Sequence, residues 1–405
     1  MINEIFDLQN PWRKHPDHVF PLKERKILPV LIGNLEKNRI LGLIGSRQVG
    51  KSSILYLLIQ HLIRNGTDAG SIFYFDLDDM KLRELFENLP DFIQFIGKPP
   101  HRIYAFIDEI QRLENPGLFL KELYDLGLNI KIIYSGSSQL EIKSKLKEHL
   151  VGRERQFVIH RLSFDEYLQF ASPITKSRAL AEMMLYGSYP AIALERDSLE
   201  KKLSIKDIFQ SYVGKDITDF LNIGNTAAFN RLTGLLAHQC GQLLNIERLS
   251  TSLKLSRKET ERYIDILEQT FIIKRIYPFF KNYKKEITKT PKVFFLDLGL
   301  RNFAIDNFRK MDMRDDTGHL FENFCLIEWL ANDIHSRHKI NFWRTTNQTE
   351  IDFIVATEQG VTAIEIKQEK TNEPKSFKTI RAYYPEMKTR VVTQKDFLDG
   401  AMTVP

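Results

Sequence analysis

Residues 39–63, RILGLIGSRQVGKSSILYLLIQHLI, decide the fold of the first third of the chain. They read as an apolar strand, a glycine-bounded loop and an amphipathic helix, in the order that a phosphate-binding loop requires. Gly45, Gly50, Lys51 and Ser52 occupy every defined position of the pattern G-x-x-x-x-G-K-[ST]. The predicted nucleotide contacts are Gly45, Ser46, Arg47, Gln48, Val49, Gly50, Lys51, Ser52 and Ser53.

The residue types in this loop suit ATP with Mg²⁺ as cofactors. Glycines let backbone N–H groups wrap the phosphates, and the helix N-terminus adds a favourable dipole. Lys51 is expected to reach the outer phosphates and Ser52 to ligate magnesium. A glycine turn before a helix with a chance Lys-Ser pair is the alternative, and the strand-loop-helix order disfavours it.

A second apolar run, RIYAFIDEIQRL at residues 102–113, predicts a central strand of a parallel sheet that ends in Asp108 and Glu109. Catalytic groups collect at the carboxyl ends of such strands. Asp108 is predicted to support the metal, and Glu109 to orient or deprotonate the attacking water. An Asp-Glu pair could instead merely begin a helix, an interpretation that the nearby loop weakens.

Small hydroxyls and two arginines follow the next strand, KIIYSGSSQL. Ser135, Ser137 and Ser138 are predicted to sense the terminal phosphate or position water, or else to cap a helix. Arg153, or its neighbour Arg155, is a candidate to act in trans on a phosphate bound by another subunit. As an alternative, the two arginines form a solvated basic pair.

Length and composition limit the possible number of domains, the class of protein and its partners. The chain has 405 residues, which predicts two to four domains, and its 43% hydrophobic and 27% charged residues exclude a disordered class. A net charge of +6 is a mild excess that favours a polyanionic partner. Two cysteines, no leader-like N-terminus and no apolar run of membrane-spanning length predict a cytoplasmic protein without membrane attachment.

Residues 226–300 have the element order of a winged helix: helix, turn at Lys254–Leu255, helix, strand, basic loop, strand. Ser256 and Glu259 form the pattern of a capping box at the start of the second helix. Basic side chains on that helix and on the loop KNYKKEITKTPK are candidates for DNA contact. These are Arg257, Lys258, Arg262, Lys281, Lys284, Lys285 and Lys289. As alternatives, the module is a spacer or a protein-contact surface.

The tail contains EIDFIVATEQGVTAIEIKQ at residues 350–368, which predicts a hairpin turning at Glu358-Gln359-Gly360. Side chains alternate along a strand, so Glu365 and Lys367 share one face. If the register brings Asp352 beside that face, Asp352 and Glu365 can hold a divalent ion through hard oxygens. Lys367 would orient the nucleophile or neutralise the transition state, and Glu322 of the preceding helix would complete the site. Alternatively, these residues are ordinary alternating charges on a solvent-exposed strand face.

The stretches GSRQVGKSS, FIDEIQ, SGSS, GRERQFVIHRLSFDEYL and YGSYPAI resemble prokaryotic AAA-type ATPases that carry a C-terminal domain with a restriction-endonuclease-like core. The tail is similar to the PD-(D/E)xK nuclease superfamily, with Ile351 where that family has proline. The resemblance covers nearly the whole chain. It implies a Walker A loop at residues 45–52, a Walker B pair at Asp108 and Glu109, a sensor at Ser137 or Ser138, and a homo-oligomer or ring.

The expected fold class is therefore α/β and multidomain. We expect a P-loop AAA-type parallel sheet at residues 1–160, a helical lid or connector at 161–225, a winged helix at 226–300 and a PD-(D/E)xK nuclease-like domain at 301–405. Three functions remain open: an ATPase coupled to DNA processing, a DNA-binding remodeller or branch-migration motor whose tail does not cut, and a nucleotide-switched sensor or defence ATPase.

Overall fold

The computed structural model describes residues 2–97, 101–137, 150–211, 224–280, 289–369 and 372–400. The chain divides into two compact units, Met1–His160 and Arg161–Pro405, called here the N-terminal and C-terminal units. The finer division of residues 161–405 into lid, winged helix and nuclease-like domain stays a prediction.

The N-terminal unit is built on a five-stranded parallel sheet. Its strands are β1 (Ile40–Ile44), β2 (Ile72–Asp76), β3 (Ile103–Asp108), β4 (Ile130–Gly136) and β5 (Glu154–Val158), in the spatial order β2-β3-β4-β1-β5. Every residue of β1 and β3 is buried, because helices cover both faces of the sheet. The predicted buried parallel strands are thus confirmed, and their carboxyl ends meet at one edge.

Six helices are described in the N-terminal unit: α1 (Ile2–Gln9), α2 (Leu28–Ile32), α3 (Lys51–Arg64), α4 (Met80–Arg83), α5 (Leu89–Ile96) and α6 (Pro116–Asp125). Local side chains begin two of them, since Asp79 caps α4 and Asn88 caps α5. Asn10, just after α1, bonds through its amide to both the N–H and the C=O of Tyr74 in the edge strand β2. The N-terminal segment therefore satisfies part of an edge that would otherwise be open.

The C-terminal unit begins with four helices, α7 (Phe164–Phe170), α8 (Lys176–Tyr186), α9 (Pro190–Leu194) and α10 (Ser198–Ile208). A capping box of Ser163 and Glu166 opens α7, and Thr175 and Asp197 cap α8 and α10. This stretch is helical, as its pattern predicted.

The next elements are α11 (Thr226–His238), α12 (Ile246–Leu253), α13 (Arg257–Gln269), β6 (Ile273–Ile276), β7 (Lys292–Phe295) and α14 (Leu298–Ala304). Lys254 has a φ of 55° at the turn between α12 and α13. Ser256 accepts the N–H of Glu259 at 3.1 Å, which is one half of the predicted capping box, while the Glu259 carboxylate accepts instead from the Tyr263 hydroxyl at 3.3 Å. The order helix, turn, helix, strand, strand matches the sequence pattern, and the winged-helix assignment stays a prediction.

The last part of the chain forms a four-stranded mixed sheet of β8 (Lys339–Arg344), β9 (Glu350–Thr357), β10 (Gly360–Lys367) and β11 (Lys388–Thr393), in the order β11-β10-β9-β8. The β9–β10 pair is the predicted antiparallel hairpin, and β10 pairs with β11 in parallel. The accompanying helices are α15 (Thr317–Asn332), α16 (Lys375–Tyr383) and α17 (Gln394–Leu398).

Helix α15 is the central helix of this unit, because residues 320–329 are all buried. Its Trp329 ring meets Phe353 of β9 edge to face with centroids 5.2 Å apart. Beyond β6, the Phe279 N–H donates to the Phe342 carbonyl of β8 at 2.6 Å. The segment that follows β6 is therefore joined by backbone hydrogen bonds to the edge of the mixed sheet.

Candidate functional sites

The phosphate loop connects β1 to α3 and needs glycine at two points. A Cβ on Gly45 would lie 2.3 Å from the Ile159 carbonyl oxygen, so no side chain fits there. Gly50 has a φ of 92°, a backbone conformation that favours glycine, and Lys51 begins α3 directly after it. The local sequence thus dictates the loop's shape.

Lys51 lies inside the loop. Its Nζ donates to the carbonyl oxygens of Gly45 at 3.1 Å and Ser46 at 3.0 Å. Burial lowers the pKa of Lys51, whereas the charges of Glu109 and Asp108 act to raise it. In the described part of the chain, the buried Ser46 hydroxyl makes no hydrogen bond. An ammonium and a hydroxyl of this kind are groups that phosphate oxygens would satisfy, so the loop fits a nucleotide.

The other predicted loop residues differ in exposure. Val49 and Ser46 are buried, Arg47, Ser52 and Ser53 are partly buried, and Gln48 is exposed. Sequence reasoning missed Arg25, whose guanidinium donates to the carbonyls of Val49 at 2.7 Å and His160 at 2.8 Å. Arg25 therefore fixes the loop from a segment with no recognisable motif.

Asp108 is held at the carboxyl end of β3 by three donors. Its Oδ2 accepts the Tyr74 hydroxyl at 2.8 Å, and its Oδ1 accepts the Ser135 hydroxyl and the Glu109 N–H at 3.2 Å. A carboxylate oriented in this way can support a metal next to the phosphate loop. Tyr74 and Ser135 are supporting residues that the motif alone did not assign to this role.

Glu109 adopts a left-handed backbone conformation with a φ of 55°. Burial raises the pKa of Glu109, and the charge of Lys51 opposes that rise. Gln111, in a short 3-10 turn, donates from one Nε2 to the Glu109 carboxylate and to the Ser137 hydroxyl at 2.9 Å. Gln111 thus joins two predicted site residues and was missed by sequence reasoning. Ser138 lies outside the described residues.

Within one chain, Arg153 and Arg155 lie at the opposite edge of the sheet from the loop. The Arg153 carbonyl accepts the Ile40 N–H at the amino end of β1, and its guanidinium pairs with Asp125 at 2.8 Å. Arg155 donates to the Asn34 side chain at 3.1 Å. A role for Arg153 in trans stays a prediction.

The tail residues converge through the register of β9 and β10. The paired residues run from Gly360 opposite Thr357 to Ile364 opposite Phe353, so the next step places Asp352 opposite Glu365. The Ile366 N–H donates to Asp352 Oδ2 at 2.7 Å, which fixes the Asp352 side chain. This is the register that the predicted site required.

Glu365 is firmly held. It is 4% exposed, its Oε2 lies 2.6 Å from Lys367 Nζ, and its Oε1 accepts the Ser376 hydroxyl of α16 at 2.6 Å. Burial lowers the pKa of Lys367, but the hydrogen bond and charge of Glu365 outweigh it and raise the pKa. Ser376 is a further supporting residue that the sequence pattern did not indicate.

Glu322 of α15 approaches the same place. Burial, together with the charges of Glu322 and Glu365, raises the pKa of Asp352 to about 7. Among the described residues, Lys292 Nζ and His319 Nδ1 each lie 3.6 Å from one of the carboxylate oxygens of Glu322. Three acids thus share one region of the C-terminal unit, and Lys292 of β7 joins them.

The sequence did not indicate a role for Lys292 in a site, because it is simply the last residue of the basic loop. Its Nζ lies 2.5 Å from Glu350 Oε1 and 5.4 Å from the centre of the Phe342 ring. Burial lowers the pKa of Lys292, but the charges of Glu322 and Glu350 outweigh it and raise the pKa. The buried ammonium is therefore compensated by one buried and one partly buried carboxylate.

The fit to a divalent cation can be judged from the oxygens present. In the described ranges, no group of three or more His, Cys, Asp or Glu side chains is arranged to hold a metal ion. Asp352 and Glu365 nevertheless lie side by side, and Glu322 Oε1 is buried with no hydrogen bond from any described residue. Magnesium is commonly held by one or two carboxylates with waters and substrate phosphates, so the Asp352–Glu365 pair fits that chemistry.

Four of the seven candidate DNA contacts lie within the described residues. Arg257 pairs with Glu247 and, at 3.0 Å, with Glu261, so its charge is already compensated. Lys258 and Arg262 are exposed on α13, and Lys289 is exposed before β7. Lys281, Lys284 and Lys285 lie outside the described residues.

Comparison with protein families divides the chain in three. Residues 37–168 match the model of an AAA domain. The chain carries an AAA-type P-loop ATPase domain. Residues 177–311 and 317–400 match two domains of unknown function, DUF8612 and DUF4143. The parallel sheet with its flanking helices agrees with the AAA ATPase fold, while the winged-helix and nuclease-like interpretations stay predictions.

Similar proteins occur in bacteria and archaea. An uncharacterized protein of Haemophilus influenzae is 26% identical over 359 residues, which cover 85% of this chain and 86% of the relative. An uncharacterized protein of Methanocaldococcus jannaschii is 24% identical over 368 residues, covering 87% of this chain and 79% of the relative. The similarity thus extends well beyond the AAA domain.

Solved structures are more distant. The Aeropyrum pernix ORC1 protein in complex with DNA aligns with a TM-score of 0.36 and 13% identity, covering 74% of this chain and 97% of that one. A signal transduction ATPase with a tetratricopeptide repeat sensor from Pyrococcus horikoshii aligns with a TM-score of 0.33 and 12% identity, covering 78% of this chain and 46% of that one. Among the described helices, none has the length and apolar character needed to cross a membrane.

Proposed function

We propose that this chain couples ATP hydrolysis in its AAA domain to divalent-metal-dependent processing of DNA at a site formed by Asp352, Glu365, Lys367 and Glu322. The observation that carries the proposal is that Asp352 and Glu365 adjoin Phe353 and Ile364, the last paired residues of β9 and β10, with Lys367 Nζ 2.6 Å from Glu365. Two adjacent carboxylates and a lysine form the chemical set needed to act on a phosphodiester.

In the ATPase half, Lys51 would bind the outer phosphates, and Ser52 and Asp108 would hold Mg²⁺. Glu109 then orients or deprotonates water, and Ser137 senses the terminal phosphate through the hydrogen bond it shares with Gln111. Burial raises the pKa of Glu109, which makes its carboxylate a stronger base toward the attacking water.

In the DNA half, Asp352 and Glu365 would hold the cation through hard oxygens; when bound, a divalent ion would supply an activated water and charge neutralisation at the phosphate. Lys367 orients the nucleophile or neutralises the negative charge that builds up on the phosphate. Lys258, Arg262 and Lys289 neutralise backbone phosphates, in keeping with the net charge of +6.

We further propose that the chain works as a homo-oligomer, in which Arg153 acts on the nucleotide of a neighbouring subunit. Its pairing with Asp125 at 2.8 Å leaves it about one-third exposed, so it is accessible from outside the chain. A strictly monomeric protein with full ATPase activity would contradict this arrangement.

The test is cleavage of labelled linear, forked and four-way-junction DNA with Mg²⁺ or Mn²⁺, with and without ATP. The proposal predicts metal-dependent cutting that Asp352→Ala abolishes. Glu358→Ala is the matched control, since Glu358 lies exposed in the turn of the same hairpin and should leave cutting intact.

One observation favours a second candidate, a DNA-binding remodeller with a non-cutting tail. Lys367 and Lys292 already compensate Glu365 and Glu350 at 2.6 Å and 2.5 Å, so part of the acidic charge is neutralised by the protein itself. Intact, ATP-sensitive DNA binding without cutting in the same assay would select this candidate.

A further inference from the structure

One lysine reaches the acidic site from a strand outside the mixed sheet. Lys292 is the first residue of β7, and its side chain is 4% exposed. Burying an ammonium is costly unless carboxylates compensate it. Lys292 Nζ lies 2.5 Å from Glu350 Oε1 and 3.6 Å from Glu322 Oε1, so a single ammonium serves two acids.

The two acids that flank Asp352 are held very differently. Glu365 has close partners on both oxygens, Lys367 and Ser376, each at 2.6 Å. Within the described ranges, Glu322 has longer contacts, to Lys292 and His319 at 3.6 Å, and its Oε1 accepts no hydrogen bond. Glu322 is therefore the acid whose partner can change at the smallest cost.

The backbone of Lys292 cannot retreat easily from this position. It pairs with Ile276 of β6 on one side and forms an isolated bridge with Leu243 on the other. The stretch after β6 is in turn bonded to β8 through Phe279 and Phe342. The position of the ammonium is thus fixed by the pairing of β7 with β6 and not by the acids alone.

We infer that Lys292 is a built-in counter-cation that competes with a divalent ion for Glu322 and thereby sets the metal affinity of the Asp352–Glu365 site. The inference rests on the proposed metal site and adds a residue that controls it. In wild-type protein the ammonium holds Glu322 and repels an incoming dication. Without the ammonium, Glu322 is free to assist Asp352 and Glu365.

The experiment measures Mn²⁺ binding to the full chain without nucleotide, by calorimetry and by the Mn²⁺-induced rise in Tm. Lys292→Met is expected to tighten Mn²⁺ binding by about tenfold, the scale typical of groups that support metal ligands. It is also expected to lower the Tm without metal and to enlarge the rise on adding Mn²⁺. Lys274→Met is the matched control, because Lys274 lies in the paired strand β6 with its side chain 45% exposed.

A double variant tests whether the gain in Mn²⁺ affinity depends on Glu322. The gain from Lys292→Met should disappear in Glu322→Gln protein, because no carboxylate is then released. If Asp352→Asn abolishes Mn²⁺ binding while Lys292→Met binds Mn²⁺ no more tightly than wild type does, the inference is overturned and the proposed function stands. If Asp352→Asn binds Mn²⁺ as wild type does, the proposed metal site itself fails.

Folding of the variants is part of the test. Lys292→Gln repeats the measurement with a polar side chain in the buried position. If both variants fold only with Mn²⁺, the metal replaces the ammonium and the inference holds. If neither folds in any condition, Lys292 is a structural residue and the inference is wrong.

Discussion

The two candidate sites handle buried charge in opposite ways. In the phosphate loop the buried cation, Lys51, rests on the uncharged carbonyl oxygens of Gly45 and Ser46. In the tail, burial together with the charges of Glu322 and Glu365 raises the pKa of Asp352 to about 7. The first site is suited to receive an anion, and the second to receive a cation.

The sites also differ in how they are assembled. Residues 45–53 are contiguous, so the shape of the site follows from local glycines and the start of a helix. The tail site draws on α15, β7, β9, β10 and α16, and it exists only because strand register and packing bring them together. A contiguous motif therefore specifies its geometry, whereas a dispersed one only suggests it.

The largest expected effect comes from Lys51→Ala. Removing the ammonium that meets the outer phosphates should lower the rate of ATP hydrolysis by at least ~100-fold. Phosphate release with and without DNA measures it. Lys81→Ala, an exposed lysine in the same unit, should hydrolyse ATP at the wild-type rate. ATP hydrolysis at the wild-type rate by Lys51→Ala would show that the phosphate loop is not the site of hydrolysis.

A smaller effect is expected from Gln111→Ala. Gln111 joins Glu109 to Ser137, so its loss should misplace the carboxylate and reduce the turnover of ATP by about tenfold without changing ATP affinity. Steady-state kinetics with a nucleotide-binding titration separates the two. Gln94→Ala on the exposed face of α5 is the control. An unchanged turnover would show that Gln111 is not part of the site.

Asp352→Asn should stabilise the protein when divalent ions are removed with EDTA. The folded-state pKa of about 7 exceeds the ordinary value of 3.8, so the protonated carboxyl favours folding at low pH and this contribution is lost as the pH rises through 7. The variant should therefore melt ~2–6 °C above wild type at pH 7.5, on the usual relation between free energy and Tm. At pH 4 the two should melt together. A difference that does not depend on pH would contradict the account of the acidic site.

The smallest effect is expected from Tyr74→Phe, which removes one hydrogen bond to Asp108 and nearly preserves the packing volume. One such bond contributes about 1 kcal/mol, so the Mg²⁺ requirement for ATP hydrolysis should rise about fivefold. Tyr104→Phe is the control, since its hydroxyl bonds Glu36 at 2.7 Å near the amino end of β3. Equal Mg²⁺ dependence in both variants would mean that Tyr74 does not position the acid.

Particular residues show how far the sequence could predict this structure. The strands that carry Asp108 and the phosphate loop follow from apolar runs whose burial on both faces is expected for a parallel sheet. The β9–β10 hairpin follows from alternation around Gly360. Spacing along one strand was enough to predict that Glu365 and Lys367 share a face.

The residues that could not be predicted act across large separations. Tyr74 lies 34 positions from Asp108, and Arg25 lies 135 positions from His160. Lys292 reaches Glu350 only because β7 passes beside the mixed sheet, and nothing in a lysine-rich loop distinguishes that lysine from its neighbours. Glu322 was expected to complete the acidic site, but no feature of the sequence indicated its contacts with Lys292 and His319.

The central claim is that the nucleotide site and the acidic site work together on DNA. The most direct measurement is metal- and ATP-dependent processing of labelled branched DNA by wild type, Lys51→Ala and Asp352→Ala, with ATP hydrolysis followed in the same reactions. The account predicts that both variants lose processing and that Asp352→Ala still hydrolyses ATP. Full processing by Asp352→Ala would contradict it, because the acidic site would then have no part in the reaction.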